Sequence, residues 1–426
     1  MNHFLRAQLP RIVGLAMAGV SLFAVTAAEA KQITIWCWDP NFNVAIMKEA
    51  GSRYTKAHPD VTFNVVDFAK ADVETKLQTG LSSGAGAGAG LPDIVLIEDY
   101  GAQKYLQSFP GAFAPMSDKV DYSGFAPYKV QLMTLDGKVY GMPFDSGVTG
   151  MYYRKDYLEA AGFKPADMQN ITWDRFIEIG KQVEAKTGKK MIGIQSNDAG
   201  LVRIMMQSAS GWYFDKDGNP NIVGNAALKA SLETFGKLMS SGVYKPAADW
   251  ANWVGTFTSG DVATVVTGVW ITGTVKADAD QSGKWGVAPI PALSIDGATH
   301  ASNLGGSSWY VLANSAQKDD AIDFLNAEYA KDIDFYQKIL TDRGAVGSLM
   351  AARGGAAYSV ADPFFGGEMV WQNFADWLSK VPPVNYGIFT NEVDAAVTAQ
   401  IPAIAKGEPI DDVLKAIDQQ VKTQIQ

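Results

Sequence analysis

The fold is decided by the stretch Phe257-Thr258-Ser259-Gly260-Asp261-Val262-Ala263-Thr264-Val265-Val266-Thr267-Gly268-Val269-Trp270. A short helix is predicted to end at Gly260, because a residue without a Cβ readily takes the left-handed conformation of a helix cap. The β-branched run Val262 to Thr267 predicts a strand. Gly268 ends this strand, and Trp270 follows at its carboxyl end, where open α/β sheets bind ligands. Trp270 is therefore either a flat apolar platform at the mouth of a site or a core aromatic.

The first thirty residues have the features of a secretory signal. A polar head carries Arg6 and Arg11, an apolar run extends from Ile12 to Ala28, and the small-x-small ending Ala28-Glu29-Ala30 is typical of a cleavage site. No cysteine follows the cleavage point, so we expect no lipid anchor. We expect a mature protein that is soluble in the periplasm or outside the cell.

Composition narrows the possible partners. The net charge is −9 for the whole chain and would be more negative after cleavage, and no basic cluster is present. Nucleic acid and anionic membranes are therefore poor candidates. The single cysteine, Cys37, is predicted to be a buried strand residue. The mature chain keeps only His58 and His300 and has no metal-ligand spacing, so we expect neither a metal nor a cofactor.

Length and patterning predict two lobes of α/β structure. A mature chain of this length is too long for one compact core, and 47% of the residues are apolar. Helical segments alternate with strand-like runs, which are Gln32 to Trp36, Val61 to Val66, Asp93 to Ile97, Met191 to Gln195 and Trp309 to Leu312. No internal repeat is evident. The alternating Gly and Ala run from Gly84 to Gly90 is typical of a flexible surface loop.

Aromatic and acidic side chains follow two of the predicted strands. Trp38 and Asp39 come after the first strand, and alternation places Trp36 and Trp38 on one face with Cys37 opposite. Indole rings suit the apolar faces of a sugar, and carboxylates suit its hydroxyl groups. Glu98 and Asp99 follow the buried run Ile94 to Ile97, although Asp99 is equally suited to capping a helix.

The order of these features resembles the extracellular solute-binding proteins of carbohydrate ABC transporters, the group that includes the maltose-binding proteins. The resemblance is carried by the Gly-x-Trp at Gly268 to Trp270, by Gly137 to Asp145 leading into Met151 to Asp156, and by the Gly305-Gly306 strand. In that family the Trp matching Trp270 stacks on a sugar ring. Arg154 stands where the family usually has Asn, and Gly347 or Ser348 stands where Pro is common.

The resemblance implies a two-lobed periplasmic-binding-protein fold of type II-like topology, with a ligand cleft between hinge-linked lobes. It places residues 31–145 and 293–345 in the N-terminal lobe and 146–292 and 346–426 in the C-terminal lobe, with crossings near Asp145, at Pro289 to Ala292 and near Thr341 to Gly347. The expected ligand-binding residues are Trp38, Asp39, Glu98, Asp99, Asp145, Trp212, Tyr213, Trp270, Gly305, Gly306, Arg343 and Trp371. Trp173 is expected to pack, with Thr172 as a helix N-cap, and one of Trp250 and Trp253 is expected to rim the cleft.

The implied function is capture of a di- or oligosaccharide by hinge closure and delivery to a membrane permease, with the protein a monomer. Lactose or another galactoside is the ligand we consider. A binding protein for another solute such as a polyamine remains an alternative. A glycoside hydrolase would need two suitably spaced carboxylates. Glu98 and Asp99 are adjacent and point apart, whereas Asp39 with Asp145 stays open as a pair.

Overall fold

The structure of the protein is a computed structural model that describes residues 31–425. The predicted signal peptide, Met1 to Ala30, lies outside the described residues. Within residues 31–425, no helix is both long enough and apolar enough to cross a membrane.

The described chain forms mixed α/β structure. The strands are β1 Lys31–Cys37, β2 Val61–Asp67, β3 Ile94–Glu98, β4 Thr134–Leu135, β5 Lys138–Val139, β6 Gly141–Arg154, β7 Lys190–Gln195, β8 Tyr244–Ala247, β9 Val262–Gly268, β10 Trp285–Ala288 and β11 Asn303–Val311. The α-helices are α1 Asn43–Ala57, α2 Lys70–Ser82, α3 Ala102–Ser108, α4 Pro127–Leu132, α5 Lys155–Ala160, α6 Trp173–Thr187, α7 Gly200–Ser208, α8 Ala226–Ser240, α9 Trp250–Thr258, α10 Thr272–Val275, α11 Lys318–Leu325, α12 Ile333–Arg343, α13 Val370–Leu378, α14 Thr390–Ala399, α15 Ile401–Ala405 and α16 Ile410–Gln424.

One long strand joins the two halves of the sheet. The strand order is β2-β1-β3-β11-β6-β9-β7-β8, with β10 also paired to β6. The first part of β6 pairs antiparallel with β11, and its last residues pair with β9 and β10. Every residue of β6 is buried. This strand therefore connects two packed bodies through a single stretch of backbone.

The hydrophobic core divides into two parts on either side of β6. Two clusters draw on residues 33–144 together with 309–352, and we call this part the first lobe. A third cluster draws mainly on residues 148–293 and 357–425, which we call the second lobe. Tyr100, Tyr128 and Leu132 come from the first lobe by sequence but pack into the second-lobe cluster. The lobes are thus in direct contact.

Three chain segments run side by side where the lobes meet. Asp145 pairs with Ser307 of β11 on one side and bridges to Gly347 on the other. The amide of Ser146 donates to the carbonyl of Val346 at 2.9 Å. We call these three segments, residues 145–149, 303–307 and 345–348, the crossing. Pro289 to Ala292 does not lie there, because Ala292 exchanges backbone hydrogen bonds with Ile171 and Trp173 of the second lobe.

Local features of the sequence account for most element boundaries. Gly260 takes a φ of 69° directly after α9, and β9 follows as predicted from its β-branched residues. The Thr172 hydroxyl accepts from the amide of Arg175 and caps α6, while Trp173 is buried. Cys37 is fully buried, and burial raises the pKa of its thiol to about 12. These predictions are confirmed.

Replacement of Gly147 by Ala should destabilise the crossing. A Cβ on Gly147 would lie 2.1 Å from the carbonyl oxygen of Leu304, so the strand pairing would have to move apart. We expect a loss of about 2–4 kcal/mol in the free energy of unfolding, measured by urea denaturation. Gly273→Ala is the matched control, since Gly273 is exposed in α10 with open space around it and its replacement should cost nothing. Equal stabilities of the two variants would contradict this account.

Candidate functional site

Trp270 lies at the carboxyl end of β9, in a 3-10 turn formed by Val269–Ile271. Its Nε1 donates to the carbonyl of Leu304 at 2.8 Å, which fixes the indole against the crossing. Its ring centroid lies 5.8 Å from that of Trp250, and Trp250 is 51% exposed to solvent. Trp253 is buried and donates from Nε1 to the carbonyl of Gly193. Trp253 therefore packs, whereas Trp250 and Trp270 form a partly open aromatic surface.

A small cavity of about 60 Å³ opens beside this surface. Its wall contains Trp250, Trp253 and Trp270 together with the carboxylate-bearing Asp198, the amide-bearing Gln195, Leu304 and several aliphatic residues. Apolar faces next to hydrogen-bonding groups are what a carbohydrate ring requires.

The first lobe brings Glu98 to the same place. A Cβ on Gly305 would lie 3.1 Å from Nε1 of Trp270 and 3.7 Å from Oε1 of Glu98, so these two side chains border the same short stretch of backbone. Gly305 has a φ of 76°, which together with this close approach requires glycine. Glu98 accepts from the Tyr100 hydroxyl at 2.7 Å and pairs with Lys70. Trp270, Glu98 and Gly305 are thus brought together, as predicted.

Trp38 and Asp39 follow β1 near this region. Trp38 is half-buried and lines a narrow cleft with Glu98 and Tyr100. Asp39 is exposed with a φ of 64°, and its Oδ1 accepts from the amides of Asn41 and Phe42, both at 3.1 Å. This carboxylate therefore shapes the turn into α1, and its other oxygen is free for a ligand.

Asp99, Asp145 and Gly306 lie inside the crossing. Asp99 accepts a hydrogen bond from Lys129 at 2.5 Å and makes no side-chain cap. Asp145 accepts from the amide and the hydroxyl of Ser307, at 2.8 and 2.7 Å. Burial raises the pKa of both carboxyl groups. These side chains are enclosed behind the aromatic surface.

Trp212 and Tyr213 are buried in the second lobe. Trp212 donates from Nε1 to the Thr390 hydroxyl at 3.0 Å, and the Tyr213 hydroxyl donates to Asp394 at 2.7 Å. Trp212 lines a different cavity, of about 600 Å³, whose wall also includes Tyr386. The structure therefore does not bring Trp212 and Tyr213 together with Trp270.

Arg343 and Trp371 lie near each other. Arg343 is the exposed last residue of α12, and Trp371 is a buried residue of α13. A Cβ on Gly344 would lie 3.1 Å from the Trp371 ring and 3.8 Å from Cβ of Thr272. Trp371 thus packs beneath the turn that follows Trp270.

Arg203 is the main residue that the sequence analysis missed. It is 9% exposed, and its guanidinium carbon lies 5.2 Å from the centroid of the Tyr100 ring, across the gap between the lobes. Nη2 lies 3.0 Å from Asp198, and Nε lies 3.4 Å from Asp394. The sequence does indicate its importance, because Arg203 lies inside the apolar run Leu201 to Met206. A charged side chain on a buried helix face requires partners of opposite charge.

The chain is similar to several known proteins. The sequence pattern of bacterial extracellular solute-binding proteins matches residues 49–350. The lactose-binding protein of Rhizobium radiobacter is 68% identical over 418 residues, which cover 98% of this chain and 99% of that protein. The GacH receptor of Streptomyces glaucescens has a TM-score of 0.76 at 20% identity, covering 92% of this chain and 97% of that one. The binding protein of B. animalis subsp. lactis in complex with beta-1,6-galactobiose has a TM-score of 0.74 at 24% identity, covering 92% and 96%.

The fold is therefore that of the two-domain periplasmic binding proteins. The chain belongs to the bacterial extracellular solute-binding protein family. The relatives named here are binding proteins and not enzymes.

Removal of the Arg203 charge should destabilise the protein in a pH-dependent way. Burial raises the pKa of Asp394, and Arg203 opposes that shift. In Arg203→Met the folded-state pKa of Asp394 should rise further, so stability is lost as pH rises above the ordinary range of a carboxyl group. We expect a loss of about 3–5 kcal/mol at pH 8 and a smaller loss at pH 5, measured by chemical denaturation. The control Arg343→Met, at an exposed position, should change stability by less than about 0.5 kcal/mol. A stability loss in Arg203→Met that does not depend on pH would argue against the ion pair of Arg203 with Asp394.

Proposed function

We propose that this chain is the substrate-binding component of an ABC importer and captures a di- or oligosaccharide, with lactose or another galactoside as the ligand. The observation that carries this proposal is the aromatic pair Trp250 and Trp270, of which Trp270 borders Glu98 and the Gly305 backbone. The relative that is 68% identical is named as a lactose-binding protein, which supports a galactoside in particular.

The chemistry of this surface suits a neutral sugar. The indole faces of Trp250 and Trp270 would cover the C–H face of a sugar ring, and Glu98, Asp198 and Arg203 would read hydroxyl groups at its rim. Arg203 is already held by Asp198 and Asp394, so its donors are positioned before a ligand arrives. A hydroxyl missing from an analogue would leave such a group unpaired, which is how specificity would arise.

Hinge closure would bring the two halves of this site together. We place the lobes close to the predicted boundaries but put the second crossing at Asn303–Ser307, which moves residues 293–302 into the second lobe. Contacts between the lobes support closure, including the ion pair of Lys104 with Glu392 at 3.0 Å. A closed surface formed in this way would be presented to a membrane permease.

We propose binding without hydrolysis. The two carboxyl groups that stay open as a hydrolytic pair lie in different surroundings: Asp145 is buried and accepts from Ser307, whereas Asp39 is exposed in the turn into α1. A retaining or inverting mechanism requires a free acid and a second carboxylate on either side of the scissile bond. The exported protein would act as a monomer, freed from residues 1–30 by signal cleavage and without a lipid anchor.

Fluorescence titration of the mature protein with mono-, di- and oligosaccharides tests the proposed function. Lactose should give a saturable change of tryptophan emission at micromolar concentration, and Trp270→Ala should weaken binding by about tenfold or more, since aromatic stacking contributes on the order of 1 kcal/mol beyond the area that it buries. Trp36→Phe is the control, because Trp36 packs edge-on against Phe68 in the first lobe.

The remaining outcomes separate the alternatives. A response to polyamines alone would contradict the carbohydrate assignment and favour a binding protein for cations. Release of reducing sugar from an oligosaccharide would contradict binding without hydrolysis.

A further inference from the structure

The crossing encloses a cluster of buried charges that the proposed sugar contacts do not use. Lys129 of α4 is 0% exposed, and its Nζ lies 2.5 Å from Oδ1 of Asp99 and 2.9 Å from the carbonyl oxygen of Ser307. Asp145 holds the same Ser307 through its amide and hydroxyl. One ammonium group therefore contacts Asp99 directly and is linked to Asp145 through Ser307, and the cluster carries a net negative charge when both carboxyl groups are ionised.

Of the two carboxyl groups, that of Asp99 has the less complete set of hydrogen-bond partners. Its Oδ2 is buried and has no hydrogen-bond partner among residues 31–425. A Cβ on Gly306 would lie only 2.8 Å from this oxygen, so the backbone of the crossing packs directly against it. A buried carboxylate oxygen without a donor is costly, whereas a protonated carboxyl group avoids the charge.

The second lobe packs against the neighbours of both members of this ion pair. Tyr100, next to Asp99, meets the ring of Tyr386 edge-on at 5.9 Å, and Tyr128, next to Lys129, belongs to the same second-lobe cluster. The titratable groups that surround Asp99 are Lys129 and Tyr128 on α4, Asp145 on β6, Glu98 and Tyr100 beside it, Tyr310 on β11 and Tyr386. Lys129 is the cation in direct contact with it.

We propose that Asp99 is a positioning residue of the crossing, and that its carboxyl group takes up a proton as the lobes close around the sugar, which couples sugar affinity to pH. This proposal rests on the proposed function, because it requires closure around a ligand.

Burial fixes the direction of this coupling. In the structure, burial raises the pKa of Asp99 to about 7, and Lys129 opposes the shift. Opening of the lobes would withdraw the second lobe from Tyr100 and Tyr128 and admit water to the ion pair beside them, which lowers the pKa of Asp99 towards its ordinary value. The closed form therefore binds the proton more tightly than the open form, and by linkage the sugar binds more tightly as pH falls through 7. A difference of about one pKa unit between open and closed forms gives about tenfold in affinity.

Calorimetric titration with lactose between pH 5.5 and 8.5, in buffers of different ionisation enthalpy, tests the proposal. With a difference of about one pKa unit, we expect affinity at pH 6 to exceed that at pH 8.5 by about fivefold, with proton uptake on binding near pH 7. Asp99→Asn mimics the protonated acid and should bind lactose with nearly constant affinity across this range. Lys129→Met should move the midpoint of the profile to higher pH, because Asp99 loses its cation. The control Asp296→Asn, at an exposed acid, should keep the wild-type profile.

The outcomes distinguish this proposal from the proposed function. Lactose binding with unchanged affinity from pH 5.5 to 8.5 and no proton uptake would overturn the proton coupling alone. The same pH dependence in Asp99→Asn as in the wild type would also overturn it. No lactose binding at any pH would overturn the galactoside assignment and the coupling with it. Circular dichroism of each variant across the pH range establishes that a changed profile belongs to the folded protein.

Discussion

The whole structure depends on how tightly three segments of backbone pass one another between the lobes. Asp145 holds Ser307 with two hydrogen bonds, and the same Asp145 bridges to Gly347. Glycine is required where carbonyl groups approach most closely, as at Gly147 beside Leu304. Because the chain crosses only through such narrow segments, each lobe can keep its own core while the angle between the lobes changes.

The candidate site is a consequence of this arrangement. Strand β3 ends at Glu98, Trp270 follows β9, and both side chains reach the backbone of Gly305. Neither lobe alone presents a complete site. An apolar platform comes from the second lobe and a carboxylate from the first, so a ligand that contacts both would stabilise the form in which the lobes are close.

Much of the fold could be predicted because local signals agree with the tertiary structure. The strands at Val61, Asp93 and Met191 begin within one residue of their predicted positions, since buried apolar runs leave little choice of conformation. The position of Trp270 also followed from a strand ended by glycine. The second crossing was harder to place, because Pro289 to Ala292 has the composition of a linker while packing within the second lobe.

The side-chain details of the site were less accessible from sequence. Asp99 and Glu98 are adjacent at the end of the same predicted strand, but the turn directs Asp99 inward to Lys129. Nothing in the sequence around Lys129 distinguishes it from a solvent-exposed helix residue. Trp212 and Tyr213 have hydrogen-bond partners far along the chain, Thr390 and Asp394, which no local pattern reveals. Residues that depend on distant segments in this way can be assigned only once the lobes are assembled.

Bound sugar is expected to change the angle between the lobes at the crossing. Spin labels at Asn41→Cys in the first lobe and Ala251→Cys in the second occupy exposed positions beside Trp38 and Trp250, and Cys37 is buried away from the labelling reagent. Pulsed electron–electron double resonance measures the distance between the labels with and without saturating lactose. We expect a shorter and narrower distance distribution when lactose is bound. An unchanged distribution in a protein that demonstrably binds lactose would contradict it.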